Sequence, residues 1–408
     1  MITIKHDLPQ FAPEIEYTLG VVMSALQLPY RFVGPEEHAM LNYTAEVPSV
    51  GAWLGSSDFF RDVYSKKRTV GLPVTAADGI ADYVASIFVA LTGYENLCCE
   101  RRDKWGRFSA NDSLLVQAGL LHTPVVDSQW IPQIEYRLRE HFPSLPKIRR
   151  DRWSVCLTHD MDHLLLRPAR WSLQAKRDPY LERIKKEDNR VGKATYFFRA
   201  DGDTAVTLPE VQVVAKTLAQ GGHEVGLHGG FGAATDADVL HEQKTAFRRS
   251  LNGIALRNGQ QGIRNHYLLW EPQTWALQVA EGIAYDSTLS YHDRAGFRCG
   301  TCRPFHPFDI EARRALPIWE VPLTVMDCSL NFYEGLDMRK AADKVGRLMW
   351  EVKDVGGVFV VLVHNTWLAE NPEWIGLYKF ILEKVREGRA KCMRMGDAVR
   401  AWEADHAV

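Results

Sequence analysis

Strand and helix signals alternate along the chain from Trp153 onwards. Lys193–Phe198 is rich in aromatic residues and Ile318–Val325 is mostly apolar, and both patterns are typical of strands. Met338–Val355 has helical spacing, and Val358–Val363 is a continuous apolar run of the kind found in strands that are covered on both faces. Repeated strand–helix units over roughly 250 residues predict an α/β fold with a distorted parallel (β/α) barrel.

The first third of the chain has a different pattern. Residues 1–150 combine helical and strand-type segments and predict a smaller α/β accessory domain, which leaves residues 151–408 for the barrel. We place the boundary at the basic stretch Pro146–Arg152, which has no apolar periodicity. The charged segment Arg101–Phe108 is interpreted as a solvated loop of this accessory domain rather than as part of a second active site.

Composition excludes several classes of function. The net charge of −2 over 408 residues predicts no nucleic-acid partner, and no apolar run reaches the ~18 residues of a membrane span. The segment Met1–Pro9 lacks the apolar core of a signal peptide, and seven scattered cysteines are typical of reduced thiols. We therefore expect a cytoplasmic protein, and the sequence does not indicate its oligomeric state.

Ionisable residues crowd the end of the first barrel strand. The strand-type run Val155–Leu157 leads into His159, Asp160, Asp162 and His163. Unpaired charge at the end of a buried strand is costly unless a neighbouring group neutralises it. A metal ion is the simplest such group.

Residues of the same kind follow later strands. The carboxyl ends of parallel barrel strands lie on one face, where the active site of such folds is found, so we expect these residues to share a site. They are His228, Arg264 with His266, Asp286 and His364. By contrast, we interpret three other histidines as hydrogen-bonded structural residues, namely His163, His223 and His241.

Four segments resemble, in order, the motifs of polysaccharide deacetylases with the NodB-homology domain. They are Thr158–Asp162, Ala194–Phe198, Gly222–His228 and Val361–His364. The resemblance extends from Trp153 to about Met395 and leaves the N-terminal third unmatched. It implies a distorted (β/α) barrel that hydrolyses an N-acetyl or O-acetyl group on a carbohydrate with the help of a divalent metal.

The resemblance also implies roles for individual residues. Asp160 would match the general base, Asp162 the carboxylate metal ligand and His228 the first metal-binding histidine. The family's second metal-binding histidine would stand at Gly232, so this chain departs from the pattern there. Either His266 supplies the missing imidazole, or the metal has two protein ligands and more water, or it is lost. A set of one aspartate and two histidines with open positions suits zinc.

Further roles follow from the same resemblance. Arg264 would keep the catalytic carboxylate ionised, Asp286 would orient the catalytic histidine, and His364 would donate a proton to the departing amine. Two residues outside the motifs are candidate substrate-binding side chains: Arg303 for an anionic group and Trp367 for stacking on a sugar ring. We interpret Cys299 and Cys302, a CxxC pair, as part of a structural loop after the Asp286 strand, with a cover over the site as the alternative.

Two other functions stay open. The departure at Gly232 is compatible with a carbohydrate-binding relative that has no catalytic activity. The barrel is also compatible with another metal-dependent amidohydrolase that acts on a small amide. An open groove with exposed aromatic residues is expected for a sugar chain, and a closed pocket for a small amide.

Overall fold

The computed structural model describes residues 1–76, 78–148, 153–164, 167–169, 172–202, 205–251 and 261–405. Part of the predicted boundary at Pro146–Arg152 therefore lies outside the described residues. The strands are β1 Ile2–His6, β2 Tyr30–Phe32, β3 Leu41–Thr44, β4 Ala52–Gly55, β5 Ser154–Met161, β6 Arg167–Ala169, β7 Ser172–Arg177, β8 Thr195–Arg199, β9 Glu224–Gly229, β10 Gly262–Asn265, β11 Tyr285–Asp286, β12 Phe308–Asp309, β13 Arg314–Ala315, β14 Trp319–Glu320, β15 Val325–Met326, β16 Val358–Leu362 and β17 Lys391–Met393.

The α-helices alternate with the strands, most regularly in the second half of the chain. They are α1 Ala12–Ala25, α2 Tyr83–Leu91, α3 Glu95–Cys98, α4 Leu114–Gln117, α5 Ile131–His141, α6 Pro179–Asp188, α7 Pro209–Gln220, α8 Ala237–Ser250, α9 Thr274–Ala280, α10 Met338–Val355, α11 Asn365–Glu370, α12 Ile375–Glu387 and α13 Met395–Asp405. The predicted helix Met338–Val355 is confirmed. It begins after Asp337, whose carboxylate accepts a hydrogen bond from the backbone N–H of Lys340, and ends at Gly356, which has a left-handed φ of 71°.

The N-terminal region forms its own sheet. Four parallel strands lie in the order β2-β1-β3-β4. Helix α1 buries one face against this region, through Ile15, Leu19, Val22 and Met23. The α/β character predicted for the N-terminal region is confirmed.

A curled parallel sheet forms the barrel. Its strands lie in the order β14-β11-β10-β9-β8-β5-β16-β15, and every pairing along this path is parallel. Going round from β5 through β8 to β14 and on to β15 and β16, the strands follow their order in the chain, as they do in a (β/α) barrel. In the described part of the chain, β14 and β15 are not paired with each other, so the barrel is open between them. The predicted distorted barrel is confirmed.

The opening corrects one prediction. Ile318–Val325 was expected to be one strand, but it contains β14 and the first residue of β15, the end strands on either side of the gap. Pro322 lies between them. Because proline has no backbone N–H, it cannot continue a ladder of hydrogen bonds.

Side chains of β16 alternate between two apolar clusters. Val358, Val360 and Leu362 pack with Phe197, Tyr285 and Met395 in one cluster. Phe359 and Val361 pack in the other, larger cluster. The strand reads as a continuous apolar run because both of its faces are covered.

The N-terminal region is fixed to the barrel by polar contacts, most of them buried. Thr301 Oγ1 donates a hydrogen bond to Asp127 over 2.8 Å, and the Tyr291 hydroxyl donates one to Glu95 over 2.6 Å. Arg313 pairs with Glu14, with Nε 2.7 Å from Oε1. Among the described residues, no helix is both long and apolar enough to span a bilayer.

Candidate active site

Asp162, His228 and His266 meet at the carboxyl ends of β5, β9 and β10. Oδ1 of Asp162 lies 3.0 Å from Nε2 of His228 and 3.0 Å from Nδ1 of His266. The two imidazole nitrogens are 3.2 Å apart. These three residues form a group that could hold a metal ion.

The chemistry of these three atoms fits a divalent cation. In a tetrahedral zinc site with bonds of about 2.0–2.1 Å, ligand atoms stand about 3.3 Å apart, close to the observed separations. Nδ1 of His228 donates a hydrogen bond to the carbonyl oxygen of Arg264 over 2.7 Å. Nε2 therefore faces Asp162, in the arrangement that orients metal-binding histidines in proteins.

The pKa values of the three residues are shifted by burial and by the charges of their neighbours. Burial alone would raise the pKa of Asp162, but its contacts with His228 and His266 lower that pKa well below its usual range. Burial likewise opposes charge on His228, yet the carboxylates of Asp160 and Asp162 raise its pKa. The pKa of His266 is lowered, chiefly by burial. The site thus has a negative potential and a neutral imidazole, both of which favour a bound cation.

Asp160 lies beside this group and is held by Arg264. Nη1 of Arg264 is 3.3 Å from Oδ1 of Asp160 and donates a hydrogen bond to Thr158 Oγ1 over 2.7 Å. The other two guanidinium nitrogens donate to the backbone carbonyl and the hydroxyl of Ser287, each over 2.9 Å. Arg264 is fully buried, so these contacts fix its position. Oδ2 of Asp160 is 3.8 Å from Nε2 of His228.

His364 completes the site from the end of β16. Its Nε2 lies 3.8 Å from Oδ2 of Asp162. On the other side of the ring, Nδ1 is 2.7 Å from Oδ1 of Asp327, and the backbone N–H of His364 donates to Oδ2 of Asp327 over 2.7 Å. Burial alone would lower the pKa of His364, but the Asp327 carboxylate raises it well above its usual value.

The contact between His364 and Asp327 corrects the role expected for Asp286. Oδ1 of Asp286 accepts hydrogen bonds from the backbone N–H and the hydroxyl of Thr288. Asp286 is also opposite Glu320 in the register of β11 and β14. Burial raises the pKa of Asp286 to about 6. The carboxylate that orients His364 is thus Asp327, which follows β15 directly.

A second group of metal-ligand type overlaps the first. Asp327, Cys328 and His364 offer ligand atoms that lie close together, with Sγ of Cys328 3.9 Å from Nδ1 of His364. Burial raises the pKa of the Cys328 thiol to about 11, so the thiol is protonated at neutral pH. Since Nδ1 of His364 already faces Asp327, this group fits a cation less well than the first group does.

These residues line a cavity of about 180 Å³. Its wall also contains the candidate sugar-stacking residue Trp367. The full lining is Arg107, Asp160, Asp162, His228, His266, Tyr267, Leu268, Met326, Cys328, Tyr333, His364, Thr366, Trp367 and Glu370. Exposed aromatic side chains lie at or next to this lining: Trp105, Phe231, Tyr267, Phe332 and Tyr333.

Gly232 lies in a turn and has a φ of +83°. A Cβ atom built on it would be 3.3 Å from Cγ1 of Val239. A residue with a side chain would be strained in this left-handed conformation. The backbone at this position therefore differs from one that suits a metal-binding histidine.

Arg303 and the CxxC pair lie elsewhere. Arg303 donates a hydrogen bond to the carbonyl of Val355 over 2.8 Å and lines a different cavity, of about 350 Å³. The carbonyl of Cys302 accepts a hydrogen bond from Val358, the first residue of β16, whereas His364 follows the last. This loop therefore packs at the opposite end of the barrel strands, and the expected substrate contact of Arg303 and the idea that the loop covers the site are both wrong. Cys299 and Cys302 are buried free thiols.

Two of the three histidines that were interpreted as structural use their imidazole rings in polar contacts. Nδ1 of His223 accepts a hydrogen bond from the backbone N–H of Ala194 over 3.1 Å. His241 lies 3.2 Å from Glu281 on the surface. His163 accepts a hydrogen bond from Asn365 over 2.7 Å through its backbone carbonyl, and the role of its imidazole stays a prediction.

Three residues of the site were not predicted from the sequence. Asp327 and Arg199 both follow or end apolar strand segments, so the rule that identified the other candidates would also have found them. Arg199 Nη1 lies 3.5 Å from Nε2 of His266. Arg107 comes from the N-terminal region, where no pattern in the sequence pointed to the barrel.

Comparison with known proteins finds a matching family model and several solved structures. Residues 4–143 match a model described as a family of unknown function, DUF7033. No curated protein is similar enough to this chain to count as a match. Solved structures resemble a larger share of the chain.

Three of these structures illustrate the range. The Puue Allantoinase structure has a TM-score of 0.46 and 14% identity, covering 65% of this chain and 97% of that chain. A probable polysaccharide deacetylase from Pseudomonas aeruginosa PAO1 has a TM-score of 0.44 and 15% identity, covering 64% of this chain and 93% of that chain. The chitin deacetylase of the fungal pathogen Colletotrichum lindemuthianum has a TM-score of 0.35 and 14% identity, covering 61% and 88%.

Proposed function

We propose that the protein is a metal-dependent hydrolase that removes an acetyl group from an N-acetylated or O-acetylated carbohydrate. The observation that supports this most strongly is the convergence of Asp162, His228 and His266, with Asp160 and His364 on either side of them in one cavity. The group combines ligand atoms for a cation with a carboxylate and an imidazole that can transfer protons. The exposed aromatic residues at its rim favour a sugar.

Asp162, His228 and His266 would hold the cation, and we propose zinc. When bound, a divalent cation polarises a carbonyl group and lowers the pKa of water toward ~7. Nε2 of His228 faces the proposed cation position, because Nδ1 donates a hydrogen bond to the carbonyl oxygen of Arg264.

Asp160 is the proposed general base. Its carboxylate takes a proton from the attacking water as the oxygen of that water bonds to the acetyl carbon. Arg264 keeps the carboxylate in place and balances its charge, because its guanidinium is buried and bound to both Asp160 and Ser287. Removing Arg264 would leave Asp160 buried without a cationic partner.

His364 is the proposed general acid. When the bond between the acetyl carbon and the sugar nitrogen breaks, Nε2 of His364 donates its proton to that nitrogen, and acetate and a free amine leave. Asp327 accepts from Nδ1 and thereby keeps Nε2 directed toward the cavity. For an O-acetyl group the same proton goes to the departing oxygen.

We also propose that residues 1–150 and 151–408 are two domains, with the hydrolase chemistry on the second.

A second candidate function is hydrolysis of a small amide. The volume of about 180 Å³ favours it, because pockets for drug-sized ligands are typically ~300–1,000 Å³. A panel of acetylated sugars and small cyclic and linear amides distinguishes the two.

Acetate release tests the proposal. We expect zinc-loaded protein to release acetate from N-acetylated glycans, and Asp160→Asn and His364→Ala to lower kcat by ~10²-fold or more while zinc still binds. The matched control is His241→Ala, a surface histidine outside the cavity. Undiminished rates in both variants would refute the assigned roles.

A further inference from the structure

The N-terminal region contributes a wall to the candidate site. Arg107 lines the cavity together with Asp162 and His266, although it belongs to the segment that matches the family model over residues 4–143. The segment 101–108 was expected to be a solvated loop. Instead, Arg107 is buried, with only 6% of its surface exposed.

This segment is fixed to the barrel on both sides of Arg107. Before it, Nη2 of Arg102 lies 2.8 Å from Oε2 of Glu271 in an ion pair. After it, the hydroxyl of Ser109 donates a hydrogen bond to Asp293 over 2.6 Å. Glu271 and Asp293 follow β10 and β11, at the end of the barrel that carries the candidate site. The position of Arg107 is therefore set by the barrel as well as by its own loop.

The guanidinium of Arg107 is only partly used by the protein. Nε donates to Oδ2 of Asp103 over 2.8 Å, and Nη2 donates to the hydroxyl of Tyr333 over 3.1 Å. Within the described part of the chain, Nη1 has no hydrogen-bond partner. Because Arg107 lines the cavity, this N–H donor is available to a ligand oxygen there.

Aromatic rings surround this donor. The Arg107 guanidinium is 5.5 Å from the ring centre of Tyr267 and 5.7 Å from that of Tyr333. Tyr267 stacks on Trp105 with ring centres 5.0 Å apart, and both side chains are partly exposed. Tyr267 follows His266 directly and has a left-handed φ of 60°, a conformation that a tyrosine rarely adopts. Donors next to exposed rings are a common way to bind a sugar.

The charges at this wall favour a neutral ligand. Asp103 offsets the charge of Arg107, with Nη2 2.7 Å from Oδ2. Glu370 also lines the cavity and would repel an anion. A hydroxyl or ring oxygen can accept from Nη1 without adding charge, whereas a carboxylate would add a second negative group beside the guanidinium that Asp103 already neutralises.

We propose that Arg107 is a specificity-determining residue, supplied by the N-terminal region, that binds a hydroxyl or ring oxygen of a neutral acetylated glycan beside the acetyl group. The proposal rests on the proposed function. Tyr267 and Trp105 would provide the surface on which the neighbouring sugar ring packs. The N-terminal region is then part of the substrate-binding site rather than an independent accessory domain.

The test compares three probes with zinc-loaded full-length protein: a neutral N-acetylhexosamine trisaccharide, an N-acetylated hexosaminuronic acid, and p-nitrophenyl acetate, whose small acyl group does not need Arg107. We expect Arg107→Ala to lower kcat/KM for the trisaccharide ~10-fold or more, mainly through KM. We expect Arg107→Lys, which can keep the pair with Asp103, to lower it less. Hydrolysis of p-nitrophenyl acetate and zinc stoichiometry should stay the same in both variants.

The control is Arg101→Ala, an exposed arginine of the same loop that lies outside the cavity lining; its kinetics should stay within about twofold of wild type. Equal trisaccharide kinetics in wild type and both Arg107 variants would overturn the proposal while leaving the hydrolase function intact. A larger Arg107 effect on the uronic acid than on the trisaccharide would overturn the assignment to a neutral glycan. If wild type hydrolyses nothing, calorimetric binding of the trisaccharide decides. Binding that is lost in Arg107→Ala and weakened less in Arg107→Lys supports the proposal without the hydrolase function. Binding that is absent in wild type, or unchanged in Arg107→Ala, refutes it.

Discussion

Nε2 of His228 and Nδ1 of His266 lie 3.2 Å apart, although 38 positions separate the two residues in the chain. They come together because β9 and β10 are adjacent parallel strands, with His228 opposite Arg264 in the register. His266 is two residues beyond Arg264 and directly follows β10. We propose that it takes the place of the histidine that is missing at Gly232.

His266→Ala should weaken zinc binding by ~100-fold or more, because it removes one of three protein ligands from the proposed site. Competition with a chromophoric chelator measures the Kd directly. His241→Ala, a histidine on the surface, should bind zinc as wild type does. Equal affinities of His266→Ala and wild type would show that His266 is not a ligand.

Adding Gly232→His to His266→Ala should not restore zinc binding. At a φ of +83° the new side chain would start beside Val239, and a left-handed residue other than glycine costs roughly 1–2 kcal/mol. We expect a lower free energy of unfolding in urea and the same weak zinc affinity as His266→Ala alone. Recovery of wild-type affinity would mean that the backbone at this turn rearranges easily.

Asp327→Asn should move the alkaline limb of the pH–rate profile to lower pH. The Asp327 carboxylate raises the pKa of His364, and a general acid is active only while it is protonated. Without that charge His364 loses its proton at a lower pH, so kcat/KM falls earlier as pH rises. The comparison is Asp286→Asn, which removes a carboxylate bound to Thr288 and should leave the limb in place. A shift of the limb in Asp286→Asn but not in Asp327→Asn would support the first expectation, that Asp286 orients the catalytic histidine.

Asp286 should instead affect how stability depends on pH. Burial raises its pKa to about 6, whereas in the unfolded chain an aspartate ionises near ~4. Between these values the unfolded state releases a proton that the folded state retains, so stability falls as pH rises through this window. In Asp286→Asn the free energy of unfolding should fall less between pH 4.5 and pH 7, by roughly 2 kcal/mol. Identical differences in wild type and variant would contradict this assignment.

Residues that follow strands were predictable, and contacts between distant segments were not. Asp160, Asp162, His228 and His364 stand next to apolar strand runs, and parallel topology alone predicts that they share one end of the barrel. Asp286 also stands at the end of a strand. Which carboxylate faces His364, however, depends on the gap between β14 and β15, and the sequence pattern predicted a single strand over that segment. No pattern in the sequence predicted that Arg107 is a site residue, because its place in the cavity depends on how the N-terminal region packs on the barrel.

We propose that Asp162, His228 and His266 together hold one cation. Anomalous scattering at the zinc absorption edge from crystals of the zinc-loaded protein tests this most directly. We expect one strong peak at ~2.0–2.2 Å from a carboxylate oxygen of Asp162, Nε2 of His228 and Nδ1 of His266. A peak bound instead by Asp327, Cys328 and His364, or no peak in this cavity, would contradict the claim.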